Sequence, residues 1–248
     1  MHLDIIWSIM EHIGVIAFAI SGAVVAIDRE TDIFGVVFAS FITSFGGGIM
    51  RDLLLGCPGD SGTPLFFTSS YLSLIIVCLV ASLAVFFFAV MFKRSFLEDQ
   101  KKLDYINNYI DAVGIGAFTV SGARLAIEAG HSNPFIAIIM GMIACIGGGM
   151  LRDIMFNDIP FVLRKRIYAL AAAAGAGVYC LIRMLGPDAE ISAMVVGALT
   201  TVLIRVLATI FRWNMPKAIN FTKLREEQEK TQQILEQTEI KENNEICK

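Results

Sequence analysis

Charged residues are scarce in this chain: only 17% of its 248 residues are Asp, Glu, Lys or Arg, whereas 56% are hydrophobic. A soluble domain needs a largely polar surface, and about 25% charged residues is typical of soluble proteins. The formal net charge is −3, so the chain lacks the basic surface that neutralises nucleic-acid phosphates. Composition therefore predicts a membrane protein and excludes nucleic acid as a partner.

Histidine and closely paired cysteine are also rare, which argues against an enzyme or a metal protein. The histidines His2, His12 and His131 lie at a terminus, a helix start and a loop, and no nucleophile is paired to them. The five cysteines form none of the close pairs that a zinc site needs, and three of them lie in apolar runs. We expect those three to be small buried residues, and we predict no metal, no cofactor and no catalytic site.

Long apolar runs make up most of the sequence. Crossing a hydrocarbon core takes roughly 20 apolar residues of helix, and seven stretches meet that requirement. The chain is therefore predicted to be an all-α polytopic membrane protein with seven transmembrane helices. The predicted spans are approximately residues 5–27, 34–55, 71–92, 106–127, 134–156, 167–185 and 191–211.

Lys and Arg residues decide the predicted orientation, because short cytoplasmic loops carry an excess of them. These cations collect on one side of the predicted spans. The other side, which holds the N-terminus and the loops near Asp60, His131 and Pro187, has almost none outside the helix ends. We therefore predict a multi-pass protein of the cell membrane, with its N-terminus outside and its C-terminus in the cytoplasm.

The sequence contains an internal repeat. GVIAFAISGA at 14–23 aligns with GIGAFTVSGA at 114–123, and GGGIMRD at 46–52 aligns with GGGMLRD at 147–153. Each unit has three helices, an odd number, so the second unit must enter the membrane from the opposite side, as in inverted-repeat transporters and channels. The predicted divisions are the first repeat at 1–95, the inverted second repeat at 96–187, a seventh transmembrane helix at 188–212, and a charged cytoplasmic tail at 213–248 that is disordered or a solvated helix.

Each unit carries three consecutive glycines in the middle of its second helix. Glycine lowers helix propensity by about 1 kcal/mol relative to alanine, and it permits backbone conformations that other residues avoid. One interpretation is that the triplets interrupt or kink the helices and expose carbonyl groups to a permeating ion. The other is that they only allow close helix packing, but two triplets related by the repeat favour the kink. The residues are Gly46, Gly47 and Gly48 in the first unit and Gly147, Gly148 and Gly149 in the second.

An Arg-Asp pair follows each glycine triplet by about one helical turn. Ionisable side chains at such depth cost at least about 2.5 kcal/mol each unless they are paired or hydrated. Adjacent residues on a helix do not face each other, so we predict ion pairs across helices, the alternative being contact with lipid headgroups. The predicted pairs are Arg51 with Glu128 and Arg152 with Asp28, which leaves Asp52 and Asp153 to attract cations.

Further polar residues lie at mid-membrane depth. Hydroxyl groups can replace the hydration shell of a passing ion, although Ser and Thr also bond their own helix backbone. Arg124, whose counterpart is the apolar Val24, is predicted either to form an electrostatic barrier or to extend towards water. Glu11 and Asp111 are expected early in their helices, where a negative charge complements the helix dipole, and ion binding is the less favoured alternative. The candidate pore-lining hydroxyls are Ser21, Thr43, Ser44, Thr119 and Ser121.

Ser-Gly-Ala in the first helix and Gly-Gly-Gly-x-x-Arg-Asp in the second, both present twice, resemble the prokaryotic branch of the trimeric intracellular cation (TRIC) channel family. The resemblance covers residues 14 to about 211. It implies a homotrimer in membrane lipid, in which each subunit has its own pore, constricted at the glycine kinks and conducting the monovalent cations K⁺ and Na⁺. The same proteins resemble a glycine-transporter domain, so a secondary transporter of a small solute such as glycine is the alternative.

Overall fold

The computed structural model describes residues 2–56, 71–92, 100–131, 133–164, 167–211 and 213. Within these ranges the chain contains eight α-helices and no strand, which confirms the predicted all-α class. The predicted tail lies outside the described residues apart from Trp213. The helices are α1 His2–Asp28, α2 Ile33–Leu54, α3 Leu72–Met91, α4 Gln100–Glu128, α5 Pro134–Met155, α6 Phe161–Arg164, α7 Ile167–Arg183 and α8 Glu190–Ile210, with the 3-10 turn Pro187–Ala189 before α8.

Six of the described helices are long and apolar enough to cross a membrane, namely α1, α2, α3, α4, α5 and α8. The seventh predicted span corresponds to α7, an apolar helix of 17 residues. The short helix α6, between α5 and α7, has no counterpart in the predicted spans. Three cysteines, Cys78, Cys145 and Cys180, are buried and free, as their apolar surroundings predicted.

The turns that lead into the glycine-containing helices share two features in the two units. Glu30 and Gly130, at equivalent positions after α1 and α4, have positive φ angles of 54° and 90°. Asp32 and Asn133 then cap α2 and α5, because their side-chain oxygens accept hydrogen bonds of 2.8 and 2.9 Å from backbone N–H groups in the first helical turn. Equivalent local chemistry therefore starts both helices.

The two units touch each other reciprocally. Phe18 of α1 stacks on Phe118 of α4, with the ring centroids 5.2 Å apart. A Cβ added to Gly14 would meet the Phe118 ring, and one added to Gly114 would meet the Phe18 ring. Contacts in which each residue touches the counterpart of its partner are the mark of a two-fold relation. Helix α8 packs against α4 and α7, outside this relation.

The glycine triplets do not interrupt their helices. Helices α2 and α5 continue as α-helix through both triplets. Among the described glycines, positive φ angles occur at Gly56, Gly130 and Gly186, all of them in turns. The prediction of an interrupted helix is therefore wrong. An unbroken helix keeps its carbonyl and amide groups paired, which hydrocarbon surroundings require.

The triplets instead bring α2 and α5 into backbone contact. A Cβ on Gly47 would overlap the carbonyl oxygen of Ala144, and a Cβ on Gly148 would overlap the carbonyl oxygen of Thr43, which is the equivalent contact from the other unit. Small residues allow helices in membranes to approach this closely. We call this contact the glycine crossing, and it matches the close-packing interpretation.

Alanine at the glycine crossing should destabilise the protein. Gly47→Ala and Gly148→Ala push a methyl group into the backbone of the partner helix, and overpacking of this kind costs about 1–3 kcal/mol. Gly48→Ala and Gly149→Ala are matched controls, because the nearest atoms to an added Cβ lie 3.7 and 3.8 Å away. Thermal unfolding of the purified protein in detergent should give lower midpoints for the first two variants. Equal midpoints for all four would contradict the packing role.

Candidate permeation site

Each Arg-Asp pair forms a buried ion pair between adjacent residues. Arg51 donates from Nε and Nη2 to Oδ1 of Asp52 at 2.9 and 2.6 Å. Arg152 donates in the same way to Asp153 at 3.0 and 2.8 Å. The two arginine side chains are only 3% and 8% exposed. Each unit therefore neutralises its own charged pair.

The predicted ion pairs with Glu128 and Asp28 are consequently wrong. Adjacent positions on a helix point about 100° apart, but the long arginine stem lets the guanidinium fold back over the neighbouring carboxylate with two charge-assisted hydrogen bonds. Glu128 accepts a hydrogen bond from Arg124 instead, at 2.7 Å, and Asp28 lines a cavity beside Arg152 without being its ion-pair partner. The carboxylates of the two pairs are not left free to attract cations.

Glu11 and Asp111 lie well inside α1 and α4 rather than at helix starts. The helices begin at His2 and Gln100, so both carboxylates lie beyond the first turn, in which the helix dipole acts. Asp111 is 8% exposed, and Glu11 accepts a hydrogen bond from Ser121 Oγ at 3.3 Å. The dipole interpretation is wrong, and these acids belong to the interior.

Two cavities are lined by equivalent residues of the two units, and each lining includes a carboxylate and an Arg-Asp ion pair. Their volumes are about 340 Å³ and about 20 Å³. One water molecule needs roughly 10–15 Å³, so even the smaller cavity can hold a water or an ion of similar size. The equivalent lining residues are Glu11 and Asp111, Gly48 and Gly149, Ile49 and Met150, Arg51 and Arg152, Asp52 and Asp153, and the tyrosines that begin the third helices, Tyr71 and Tyr168.

The glycine crossing lies between the two cavities. Gly48 lines the smaller cavity and Gly149 lines the larger one, whereas Gly47 and Gly148 point into the contact between α2 and α5. Phe118, half of the stacked ring pair, also lines the smaller cavity. The crossing and the ring pair therefore separate the larger cavity on one side from the smaller cavity on the other.

All five candidate hydroxyls are buried, but they differ in what they contact. Ser21 lines the larger cavity and accepts a hydrogen bond of 3.3 Å from the guanidinium of the α5 ion pair. Ser44 lines the smaller cavity and donates to a backbone carbonyl of α1 at 3.3 Å. Thr43 donates to the carbonyl four residues earlier in its own helix, while Thr119 is fully buried and Ser121 bonds the α1 carboxylate.

Arg124 is paired rather than free. Its Nε lies 2.7 Å from Glu128 and 3.9 Å from Glu190, and its guanidinium covers the Trp7 ring at 4.4 Å from the centroid. An electrostatic barrier needs an unpaired charge, which this arrangement does not provide. Arg124 instead ties together α1, α4 and the start of α8.

Arg205 of α8 is a buried cation that the sequence interpretation missed. It is 2% exposed, and its Nη2 lies 3.7 Å from Oδ2 of Asp111. Helix α8 lies outside the repeat, so Arg205 has no equivalent residue in the first unit that would have marked it as a candidate. A charge inside an otherwise apolar span was the signal that could have identified Arg205.

Breaking one buried ion pair should destabilise the protein strongly. Asp52→Asn removes the carboxylate that accepts two hydrogen bonds from the buried Arg51 guanidinium, and breaking a buried ion pair in this way costs about 3–5 kcal/mol in comparable cases. The double variant Arg51→Leu/Asp52→Leu should be less destabilised, because it removes both charges. Arg124→Gln, at a partly exposed pair, is the control. Chemical unfolding in detergent tests this order, and a double variant less stable than Asp52→Asn would contradict it.

A protein-family model and several known proteins are similar to this chain over both units. The protein-family model described as glycine transporter matches residues 8–90 and 108–184. The chain is 35% identical over 211 residues to the UPF0126 membrane protein YvgT of Bacillus subtilis, covering 85% of this chain and 95% of that protein. It is 31% identical over 206 residues to the UPF0126 inner membrane protein YadS of Escherichia coli K12, covering 83% and 92%.

Solved channel structures share the fold. A TRIC cation channel has a TM-score of 0.71 and 37% identity, covering 86% of this chain and 97% of that chain. The TRIC trimeric intracellular cation channel orthologue from Rhodobacter sphaeroides has a TM-score of 0.72 and 29% identity, covering 84% and 99%. A prokaryotic TRIC channel in 0.5 M KCl has a TM-score of 0.73 and 33% identity, covering 86% and 100%.

The family model, the relatives and the solved structures all align with both units of this chain and all indicate a membrane protein. The family model is described as a glycine transporter and the solved structures are cation channels, so the family is a transporter and channel family rather than an enzyme family. The chain is therefore a membrane protein that belongs to the glycine-transporter, or UPF0126, family and shares the fold of the prokaryotic TRIC cation channels.

Proposed function

We propose that this protein is a channel for monovalent cations, conducting K⁺ and Na⁺ through a pore in each subunit between two inverted repeats. The observation that carries the proposal is the pair of cavities on the two sides of the glycine crossing, each lined by a carboxylate and an Arg-Asp ion pair from equivalent positions. Permeation sites of inverted-repeat proteins lie near the midplane at the repeat interface. The solved relatives, which are cation channels, add support.

The larger cavity has the charge expected of a cation vestibule. Four carboxylates line it against two guanidinium groups, and one formal negative charge remains in excess when Arg205, which lies beside Asp111, is included. Acidic linings raise the local concentration of cations and disfavour anions. The charged lining residues are Asp28, Asp111, Asp153 and Asp158, with Arg29 and Arg152.

The constriction of the proposed pore is the glycine crossing. Because backbone meets backbone at Gly47 and Gly148, a small change in the angle between α2 and α5 would alter the passage without moving a side chain out of the way. The hydroxyls of Ser21 and Ser44 stand beside the crossing, one in each cavity. Hydroxyl oxygens can replace part of the hydration shell of an ion there.

We also propose seven crossings, a homotrimer in the lipid membrane, and an N-terminus outside the cell. Helix α7, with 17 residues, is at the lower end of the length that spans a bilayer. The Rhodobacter sphaeroides protein is described as a trimeric channel. The excess of Lys and Arg on one side of the spans supports the orientation.

Purified protein in liposomes should carry K⁺ and Na⁺ but neither Cl⁻ nor glycine. Carboxylates in the cavity linings favour cations over anions. A channel conducts these ions without the co-transport of a second solute. Ion-selective flux measurements with protein-free liposomes as the control test this, and unitary currents in a planar bilayer would identify a channel. Glycine uptake without K⁺ flux would refute the proposal and support a secondary transporter.

Reporters fused to the chain should place its two ends on opposite sides of the membrane. A green fluorescent protein fused after residue 248 should fluoresce, and alkaline phosphatase at the same position should be inactive, because the C-terminus lies in the cytoplasm. Fusions truncated after α2 are the matched control and should show the reverse pattern. Active phosphatase after residue 248 would overturn the orientation.

A further inference from the structure

A buried arginine of α8 reaches the wall of the larger cavity from behind. The Nη2 atom of Arg205 lies 3.7 Å from Oδ2 of Asp111. Its guanidinium carbon lies 4.4 Å from the centroid of the Tyr168 ring and 5.8 Å from that of Phe161. Asp111, Tyr168 and Phe161 all line the larger cavity. Arg205 therefore acts on this wall from a helix outside the repeat.

The pairing of Arg205 with Asp111 explains why a charged residue occupies position 205. Nε and Nη2 of Arg205 have no hydrogen-bond partner among the described residues, and 3.7 Å exceeds a normal hydrogen bond. Leaving two buried guanidinium nitrogens without hydrogen bonds is costly, and packing alone would be served as well by an apolar side chain. The nearby carboxylate of Asp111 is the group that compensates the charge.

The equivalent carboxylate of the first unit has different surroundings. Glu11 accepts a hydrogen bond from Ser121 and shares the smaller cavity with Arg51. Helix α8 packs on α4 and α7, the side of the second unit. Two carboxylates thus occupy equivalent places, and α8 adds a counter-charge to the one that lines the larger cavity.

We propose that Arg205 is a positioning residue that holds Asp111 as a charge-balanced carboxylate and thereby sets the electrostatic potential of the larger cavity. This inference rests on the proposed channel function. Arg205 touches no permeating ion; it acts through Asp111 and Tyr168. Without Arg205, the cavity wall gains an uncompensated negative charge, which takes up a cation or a proton.

The other cations around Asp111 are already engaged, and Arg29 pairs with Asp158. Arg152 is the nearest alternative cation, but two hydrogen bonds hold it on Asp153, whose second oxygen accepts a hydrogen bond from the backbone N–H of Phe161 at 2.8 Å. Arg152 would have to give up both hydrogen bonds to Asp153 in order to take the place of Arg205 beside Asp111. The groups that face Asp111 are Arg205 from α8, Arg152, Asp153 and Cys145 from α5, Tyr168 from α7, and Asp28 and Arg29 from the end of α1.

Four proteins test the inference: the wild type, Arg205→Met, Arg205→Lys and the double variant Arg205→Met/Asp111→Asn. Single-channel K⁺ conductance is measured between roughly pH 5 and pH 9, the range in which buried carboxylates titrate. Arg205→Met should change the conductance on the order of two- to tenfold and make it depend on pH. Arg205→Lys, which keeps the charge, should stay close to the wild type, and the double variant should lose the added pH dependence.

A merely structural arginine would lower stability without altering the pH profile, so identical profiles for Arg205→Met and the wild type would overturn the inference. Thermal unfolding across the same pH range provides a readout that needs no current. Arg205→Met should melt at a lower temperature as the pH rises, because the buried carboxylate must then ionise without a partner, and the double variant should not. Wild-type protein that carries no K⁺ current would refute the channel, while the melting series still decides the pairing of Arg205 with Asp111.

Discussion

Backbone contact between α2 and α5 at Gly47 and Gly148 constrains the rest of the structure. Because the backbones of the two helices meet without intervening side chains, the residues on either side of the contact point in fixed and opposite directions. Gly48 and Gly149 consequently face different cavities, and the ion pairs one turn further along lie on different sides of the crossing. A substitution at the contact is therefore expected to disturb both cavities together.

The charged groups of the interior follow from the same constraint. Once the crossing fixes the two helices, Arg51 and Arg152 lie deep inside, where a guanidinium needs a counter-charge within reach. The adjacent Asp52 and Asp153 provide it, so each unit supplies the counter-charge for its own arginine. Helix α8 then makes the two sides unequal by bringing one further cation to the larger cavity.

The sequence predicted the elements better than the partners of their side chains. Apolar runs identify the long helices because a helix in hydrocarbon must be apolar over most of its length. The start of α4 was misplaced because it extends through charged residues from Gln100, and Asp111 was therefore assigned to a helix end. The partners of Arg51 and Arg152 depend on side-chain torsions, which residue spacing does not determine. Glycine triplets fit both a break and a close contact, and the facing helix decides between them.

Side-specific access to the two cavities tests the central claim most directly. In a cysteine-free background, Ile49→Cys and Met150→Cys place single thiols at equivalent positions, one in each cavity. A small membrane-impermeant methanethiosulfonate reagent is then applied from one side of oriented vesicles at a time. If the glycine crossing separates two cavities that belong to opposite sides of the membrane, each thiol reacts from one side only, and the two sides differ. Reaction of both thiols from the same side would contradict the account.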